Sequence, residues 1–169
     1  LALPYSDSFR DKLLALALSQ QIPRTSLGQL SYQLGERFSA ACLQLLQRNQ
    51  LNPSDIKAIG SHGHTIDHAP DSDTPYSVQI GDHSLVAERT GITTIADFRS
   101  RDIAAGGQGA PLVPAFHQWL FQQAPDHSAI INIGGISNIT ALEHTASKGY
   151  DCGPGNCLLD SWHQRHSGE

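Results

Sequence analysis

Ala129-Ile130-Ile131-Asn132-Ile133-Gly134-Gly135-Ile136-Ser137-Asn138-Ile139-Thr140-Ala141-Leu142 is the stretch that decides the fold. Isoleucines recur in both halves and two glycines divide them, a pattern that predicts two strands joined at a bend. Residues 129–133 read as a buried strand, Gly134-Gly135 as a tight turn, and residues 136–142 as the returning strand. Downstream, residues 147–156 carry Gly149, Gly153 and Gly155 and read as a loop, and residues 158–166 read as a helix. Upstream, residues 112–121 predict a helix, preceded by the Gly-rich block Ala104-Ala105-Gly106-Gly107-Gln108-Gly109-Ala110-Pro111. Residues 92–96 predict another buried strand, with Asp97 at its end. Residues 84–90 predict a helix stopped by Gly91, which suits a left-handed C-terminal cap. Residues 56–61 and 76–80 predict two more strands, the first followed by His62-Gly63-His64-Thr65. Two helices open the chain. Phe9, Leu13, Leu16 and Ala17 recur at helical spacing over residues 8–19. Leu27, Leu30, Leu34, Phe38, Ala41 and Leu45 mark a longer helix with Ser26 as its expected cap. Alternation of strands and helices predicts an α/β class.

Composition narrows the function classes. The chain has 169 residues, with 11 Lys and Arg against 16 Asp and Glu, for a net charge of −5. That balance excludes a strongly basic nucleic-acid footprint. No apolar run approaches the ~18 residues of a membrane span, so no membrane partner is expected. With 39% hydrophobic residues and 15 Gly in no period of three, the chain is neither disordered nor collagen-like. It opens Leu1-Ala2-Leu3-Pro4 and contains no Met, which reads as an internal piece of something longer. Cys42, Cys152 and Cys157 are odd in number and lack a second ligand pair, so neither a disulfide framework nor a zinc knuckle is expected. A reducing cytoplasm fits these cysteines.

Four segments carry residues suited to chemistry. Gly134-Gly135, with Asn138 and Thr140, reads either as an ordinary hairpin bend or as a backbone nest for an anion. Asp151, with Gly153 and Gly155 opening a helix, reads either as a turn cap or as a general base beside a site that favours anions. Asp97-Phe98-Arg99-Ser100-Arg101-Asp102 reads either as a solvated loop with internal ion pairs or as a site at a strand end, where Arg grips a carboxylate or phosphate. His62-Gly63-His64-Thr65 with His68 reads either as a metal-binding pair or as a loop that hydrogen-bonds a substrate.

Taken together the segments resemble a known family. Gly60-Ser61-His62-Gly63 with Thr65, Gln79-Ile80-Gly81, Ala87-Glu88-Arg89-Thr90-Gly91-Ile92, Ala96-Asp97-Phe98-Arg99, the long block from Asp102 to Phe116, Asn132-Ile133-Gly134-Gly135, and Asp151 with Gly153-Pro154-Gly155-Asn156 follow one another as in the anhydro-N-acetylmuramic acid kinases. The resemblance implies an actin-like, ribonuclease H-like ATPase fold of the sugar-kinase, actin and heat-shock chaperone superfamily, with N- and C-terminal portions missing here. Residues 1–95 would be the remainder of a first α/β lobe and residues 96–169 the start of a second. It implies a cytoplasmic enzyme of peptidoglycan recycling that uses ATP and Mg²⁺. Such an enzyme hydrolytically opens 1,6-anhydro-N-acetylmuramic acid, phosphorylates it to N-acetylmuramic acid 6-phosphate, and works as a homodimer when full length.

By the same resemblance Asp151 is the catalytic base. His62, Gly63, Thr65, Asp97, Arg99 and Arg101 are substrate-side residues; by their charge alone, Arg99 or Arg101 would hold the lactyl carboxylate. Gly134, Gly135, Asn138 and Gly153 are nucleotide-side residues, and no residue is assigned to a metal. Two positions depart from the pattern. His64 stands where Gln is usual, and Ser100 replaces an Arg inside the Arg cluster. The family's opening Gly-Thr-Ser-x-Asp-Gly phosphate loop has no match, so the 169 residues alone are expected not to turn over. The alternatives are a truncated, non-catalytic sugar- or nucleotide-binding fragment and a His-metal hydrolase.

Overall fold

The computed structural model describes residues 1–19, 21–125, 127–143 and 147–167. The elements are mixed α/β, in two compact units, Leu1–Gly106 and Gly107–Glu169.

In the first unit, helix α1 (Asp7–Leu18) presents Phe9, Leu13 and Leu16 to the interior. Helix α2 (Arg24–Arg48) buries Leu30 and Leu34. These side chains form one apolar core with Ile66 and Ile80. Leu34 is fully buried. Ser26 lies inside α2 and does not cap it. Pro23 takes the capping position and offers no side-chain bond, so the helix starts earlier than the Ser rule predicts. Strand β1 (Ile59–Gly60) is far shorter than its apolar run. Strand β2 (His64–Ala69) was not legible, because four of its six residues are polar and only Ile66 and Ala69 are apolar. It forms by antiparallel pairing with β3 (Tyr76–Ile80), with a bulge between Thr65 and Asp67.

Helix α3 (His83–Thr90) is capped by the Asp82 carboxylate, which accepts from the Leu85 N–H at 2.9 Å, and ends at Gly91 with φ of 68°. Helix α2 meets this junction closely. The Asp82 N–H donates to the Ser31 carbonyl at 2.9 Å, and the Gly81 N–H to the Ser31 hydroxyl at 3.1 Å. A Cβ at Gly35 would sit 2.8 Å from the Asp82 carbonyl, so glycine sets the approach of the two helices. Strand β4 (Thr94–Ile95) pairs in parallel with β1. Helix α4 (Phe98–Ala104) replaces the loop expected around the Arg cluster.

In the second unit, α5 (Pro114–Leu120) starts with Pro at its first turn, where a missing N–H costs nothing. Strands β5 (Ser128–Ile133), β6 (Ile136–Leu142) and β7 (Ser147–Pro154) form an antiparallel sheet in that order, followed by α6 (Asn156–Ser167). The predicted hairpin is present. Two expectations fail. Residues 147–154 are strand, not loop, because pairing with β6 satisfies a backbone whose glycines argue against a strand. Gly149 fits there because a Cβ would collide with Pro114. Strand β5 is not buried: Ile131 is 67% and Ile133 63% exposed, since a β-branched run predicts a strand but not what covers it. Thr140 is the fully buried centre of β6, its hydroxyl 2.9 Å from His117 Nδ1.

Candidate functional site

The sequence-predicted residues fall into two groups, one in each unit. In the first unit, β1 delivers Ser61, His62 and Gly63 to the start of β2. Ser61 is buried, and its hydroxyl hydrogen-bonds His83 Nδ1 at 3.0 Å. His62 is exposed. Its Nδ1 lies 3.0 Å from the Gly63 carbonyl and its Nε2 3.0 Å from Arg99 Nε. Gly63 has φ of 77°, and a Cβ there would come 2.8 Å from the Ile80 carbonyl, so no other residue fits without displacement. The Thr65 hydroxyl accepts from Gln79 Nε2 at 3.3 Å. Asp97 precedes α4 in the left-handed region, with φ of 57°, and its carboxylate accepts from the Ser100 hydroxyl. Left-handed backbone is uncommon outside glycine and its enrichment in Asp fits this position. Thus His62, Gly63, Asp97 and Arg99 come together, with Thr65 at the next step of the ribbon and Arg101 exposed on α4. A cleft of about 320 Å³ borders the Ser61-His62-Gly63 turn, floored by Phe38, Cys42 and Val86.

Electrostatics distinguish the histidines. Burial lowers the His64 pKa below its ordinary value, and neighbouring His62 adds to the effect. Burial also lowers that of His83, against the opposing pull of Asp82 and Asp97. Among the described residues no three His, Cys, Asp or Glu side chains are placed to hold one ion. His68 is engaged elsewhere, with its Nδ1 2.9 Å from the Ser77 hydroxyl. His83 was missed in the sequence. Its partner Ser61 is 22 residues away, and nothing local marks a helix-start histidine as part of a site.

In the second unit, register brings the group together. Asn138 is directly opposite Asp151, and Ser137 opposite Gly153, with a bulge between Ser137 and Asn138. Asp151 is exposed on β7, in the strand rather than in a capping turn. At the same end of the sheet the Gly134-Gly135 bend meets the start of α6. The Asn156 N–H donates to the Gly134 carbonyl at 2.7 Å, and the Gly155 N–H to the Gly135 carbonyl at 2.8 Å. The bend therefore caps α6 with its carbonyls, and those two N–H groups are already satisfied. Gly155 is required by this contact, because a Cβ would run into the Gly134 carbonyl. Gly134 is not: its own Cβ would meet only ordinary contacts, the nearest at 3.5 Å. Gly153 has φ of 135°, a conformation that favours glycine.

A profile described as anhydro-N-acetylmuramic acid kinase matches residues 1–169. The anhydro-N-acetylmuramic acid kinase of Aliivibrio fischeri is 48% identical over 167 residues, 98% of this chain and 46% of that protein. That of Pasteurella multocida is 47% identical over 98% of this chain and 44% of its own length. That of Xanthomonas oryzae pv. oryzae is 49% identical over 97% of this chain and 44% of its own length. The chain thus spans a little under half the length of these curated relatives. With both groups of site residues carried on matched sequence, the chain belongs to the anhydro-N-acetylmuramic acid kinase family.

Proposed function

We propose that the protein containing this chain is an ATP-dependent kinase acting on 1,6-anhydro-N-acetylmuramic acid. Water adds to the anomeric carbon, the C1–O bond of the anhydro bridge breaks, and the freed oxygen on carbon six accepts the γ-phosphoryl group. The products are N-acetylmuramic acid 6-phosphate and ADP. Asp151 takes the proton from the attacking water. The supporting observation is its position: an exposed carboxylate on a paired strand, opposite Asn138, beside a glycine bend. Strand pairing fixes the backbone beneath both side chains, which suits alignment of a nucleophile.

Gly134, Gly135, Asn138 and Gly153 are the proposed nucleotide-side residues. Because the Gly155 and Asn156 N–H groups are committed to the carbonyls of the bend, any phosphate contact there comes through other backbone N–H groups or the Asn138 amide. Mg²⁺ accompanies nucleotides through their phosphates and at most one or two carboxylates, so it needs no cage of protein ligands. When bound, the ion would neutralise charge on the transferring phosphoryl group.

On the substrate side, His62, Gly63, Thr65, Asp97, Arg99 and Arg101 form the proposed sugar site, with Arg99 the receptor for the lactyl carboxylate. The actin-like fold, the division into lobes at residue 95, a homodimeric cytoplasmic enzyme and the inactivity of these 169 residues alone belong to the same reading. Incubation of the full-length enzyme with ATP, Mg²⁺ and the sugar in ¹⁸O-water tests it. The expected product carries phosphate on carbon six and ¹⁸O on carbon one. Absence of phosphorylation, or ¹⁸O in the phosphate, overturns it.

A further inference from the structure

We infer that His62 is a positioning residue: held as its Nδ1–H tautomer by the Gly63 carbonyl, it orients the Arg99 guanidinium through Nε2. Its chemistry follows from the donor inventory. Guanidinium nitrogens only donate, so the nitrogen 3.0 Å from Arg99 Nε must be the acceptor of a neutral imidazole. A neutral imidazole has one acceptor and one donor. Nδ1 therefore carries the hydrogen and donates to the Gly63 carbonyl at 3.0 Å. One tautomer satisfies both bonds, and protonated His62 satisfies only one.

Both ends of this clamp are fixed by backbone. Gly63 has φ of 77° and lies so close to the Ile80 carbonyl that a side chain would not fit, which sets the direction of its own carbonyl. Arg99 lies in the first turn of α4, whose start is set by left-handed Asp97 and the Ser100 hydroxyl bonded to it. The His62 ring bridges two segments 37 residues apart in sequence. Being exposed, the bridge adds little to folding. Its effect is directional. Fixing Nε sets the plane of the guanidinium and so the aim of the terminal nitrogens, which take a carboxylate by two parallel bonds. Gly63 acquires a role too: it is the anchor of the clamp.

The functional consequence rests on the reading of Arg99 as the receptor for the sugar carboxylate. The test is a set of variants in the full-length enzyme: Arg99→Gln, His62→Phe, His62→Gln and the double variant Arg99→Gln with His62→Phe. Gln offers a carbonyl oxygen near the place of Nε2, whereas Phe offers no acceptor. His62→Phe is expected to raise KM for the sugar about tenfold, the effect of losing one hydrogen bond to a charged group, with kcat nearly unchanged. His62→Gln is expected to restore KM, and the double variant to match Arg99→Gln alone. An unchanged KM in His62→Phe, or additive losses in the double variant, overturns the inference. If Arg99→Gln itself leaves KM unchanged, it is the receptor reading that fails. The clamp is then tested without activity, by ¹⁵N NMR of the His62 ring at about pH 8, above the ordinary imidazole range. The Nδ1–H tautomer is expected, shifting in Arg99→Gln; an Nε2–H tautomer overturns the clamp.

Discussion

The His62–Arg99 group and the Asp151–Asn138 group are held in different ways. In the first, side chains hold side chains: His62 grips Arg99, Ser100 holds Asp97, and His83 holds Ser61. In the second, backbone holds side chains: strand register sets Asn138 against Asp151, and the Gly134-Gly135 carbonyls fix the start of α6. The difference teaches where each group is vulnerable. Removing one side chain from the first loosens its neighbours, whereas in the second a backbone change does most damage to geometry and a side-chain change removes only its own chemistry.

The largest expected effect is Asp151→Asn. The amide keeps the shape and cannot accept the proton, so kcat in the full-length enzyme should fall on the order of 100- to 10,000-fold. If the second group is backbone-held, KM and melting temperature should stay near wild type. A matching fall in melting temperature would break the comparison, because it would show that the carboxylate also holds structure. ADP release assays and calorimetry on the same preparations decide this.

Glycine substitutions are next in size, and they separate the groups by mechanism. Gly155→Ala places a Cβ against the Gly134 carbonyl, and Gly63→Ala places one 2.8 Å from the Ile80 carbonyl at positive φ. Each should cost about 1–3 kcal/mol, read as a drop in the midpoint of chemical denaturation. Gly134→Ala, whose Cβ meets only ordinary contacts, should be nearly silent in stability. Measured together, Gly155→Ala and Gly134→Ala test whether the bend is built around Gly155 and not around the more conspicuous Gly pair.

Much of this was legible from residue order, and what was not has physical reasons. Helix α1, strand β3, the Gly91 cap and the β5–β6 hairpin follow from periodicity and turn chemistry. Strands β2 and β7 were hidden because their residues are polar or Gly-rich; they are strands only through the partners that satisfy their backbones. Helix α4 was hidden behind its charge, since arginines and aspartates at a strand end look like a loop. The proposed site residues were read one by one from the family pattern. Their linkages were not. That His62 touches Arg99, or His83 touches Ser61, depends on chain crossings that no local window contains.

Loss of the α3 cap should have a smaller effect. Asp82→Ala removes the acceptor for the Leu85 N–H and should cost about 1 kcal/mol. It also removes one of the two carboxylates that support protonation of His83. Because α3 delivers His83 to Ser61, the sugar KM should rise modestly if side-chain linkage governs the first group. An unchanged KM beside reduced stability would confine Asp82 to capping.

The smallest effect is a pH dependence confined to the first group. Burial lowers the pKa of both His64 and His83 in the folded protein, so each resists a proton there. In the unfolded chain they titrate near their ordinary value of 6.5. Below that value the unfolded state binds more protons than the folded one, so stability is full above about pH 6.5 and declines as pH falls toward the lowered folded values. Denaturation midpoints between about pH 5 and 8 should show this decline. His83→Asn keeps a nitrogen or oxygen near Ser61 but does not titrate, so it should flatten the slope while preserving the midpoint at high pH. A slope unchanged in His83→Asn and in the double variant with His64→Gln would place the acid sensitivity outside the histidine network.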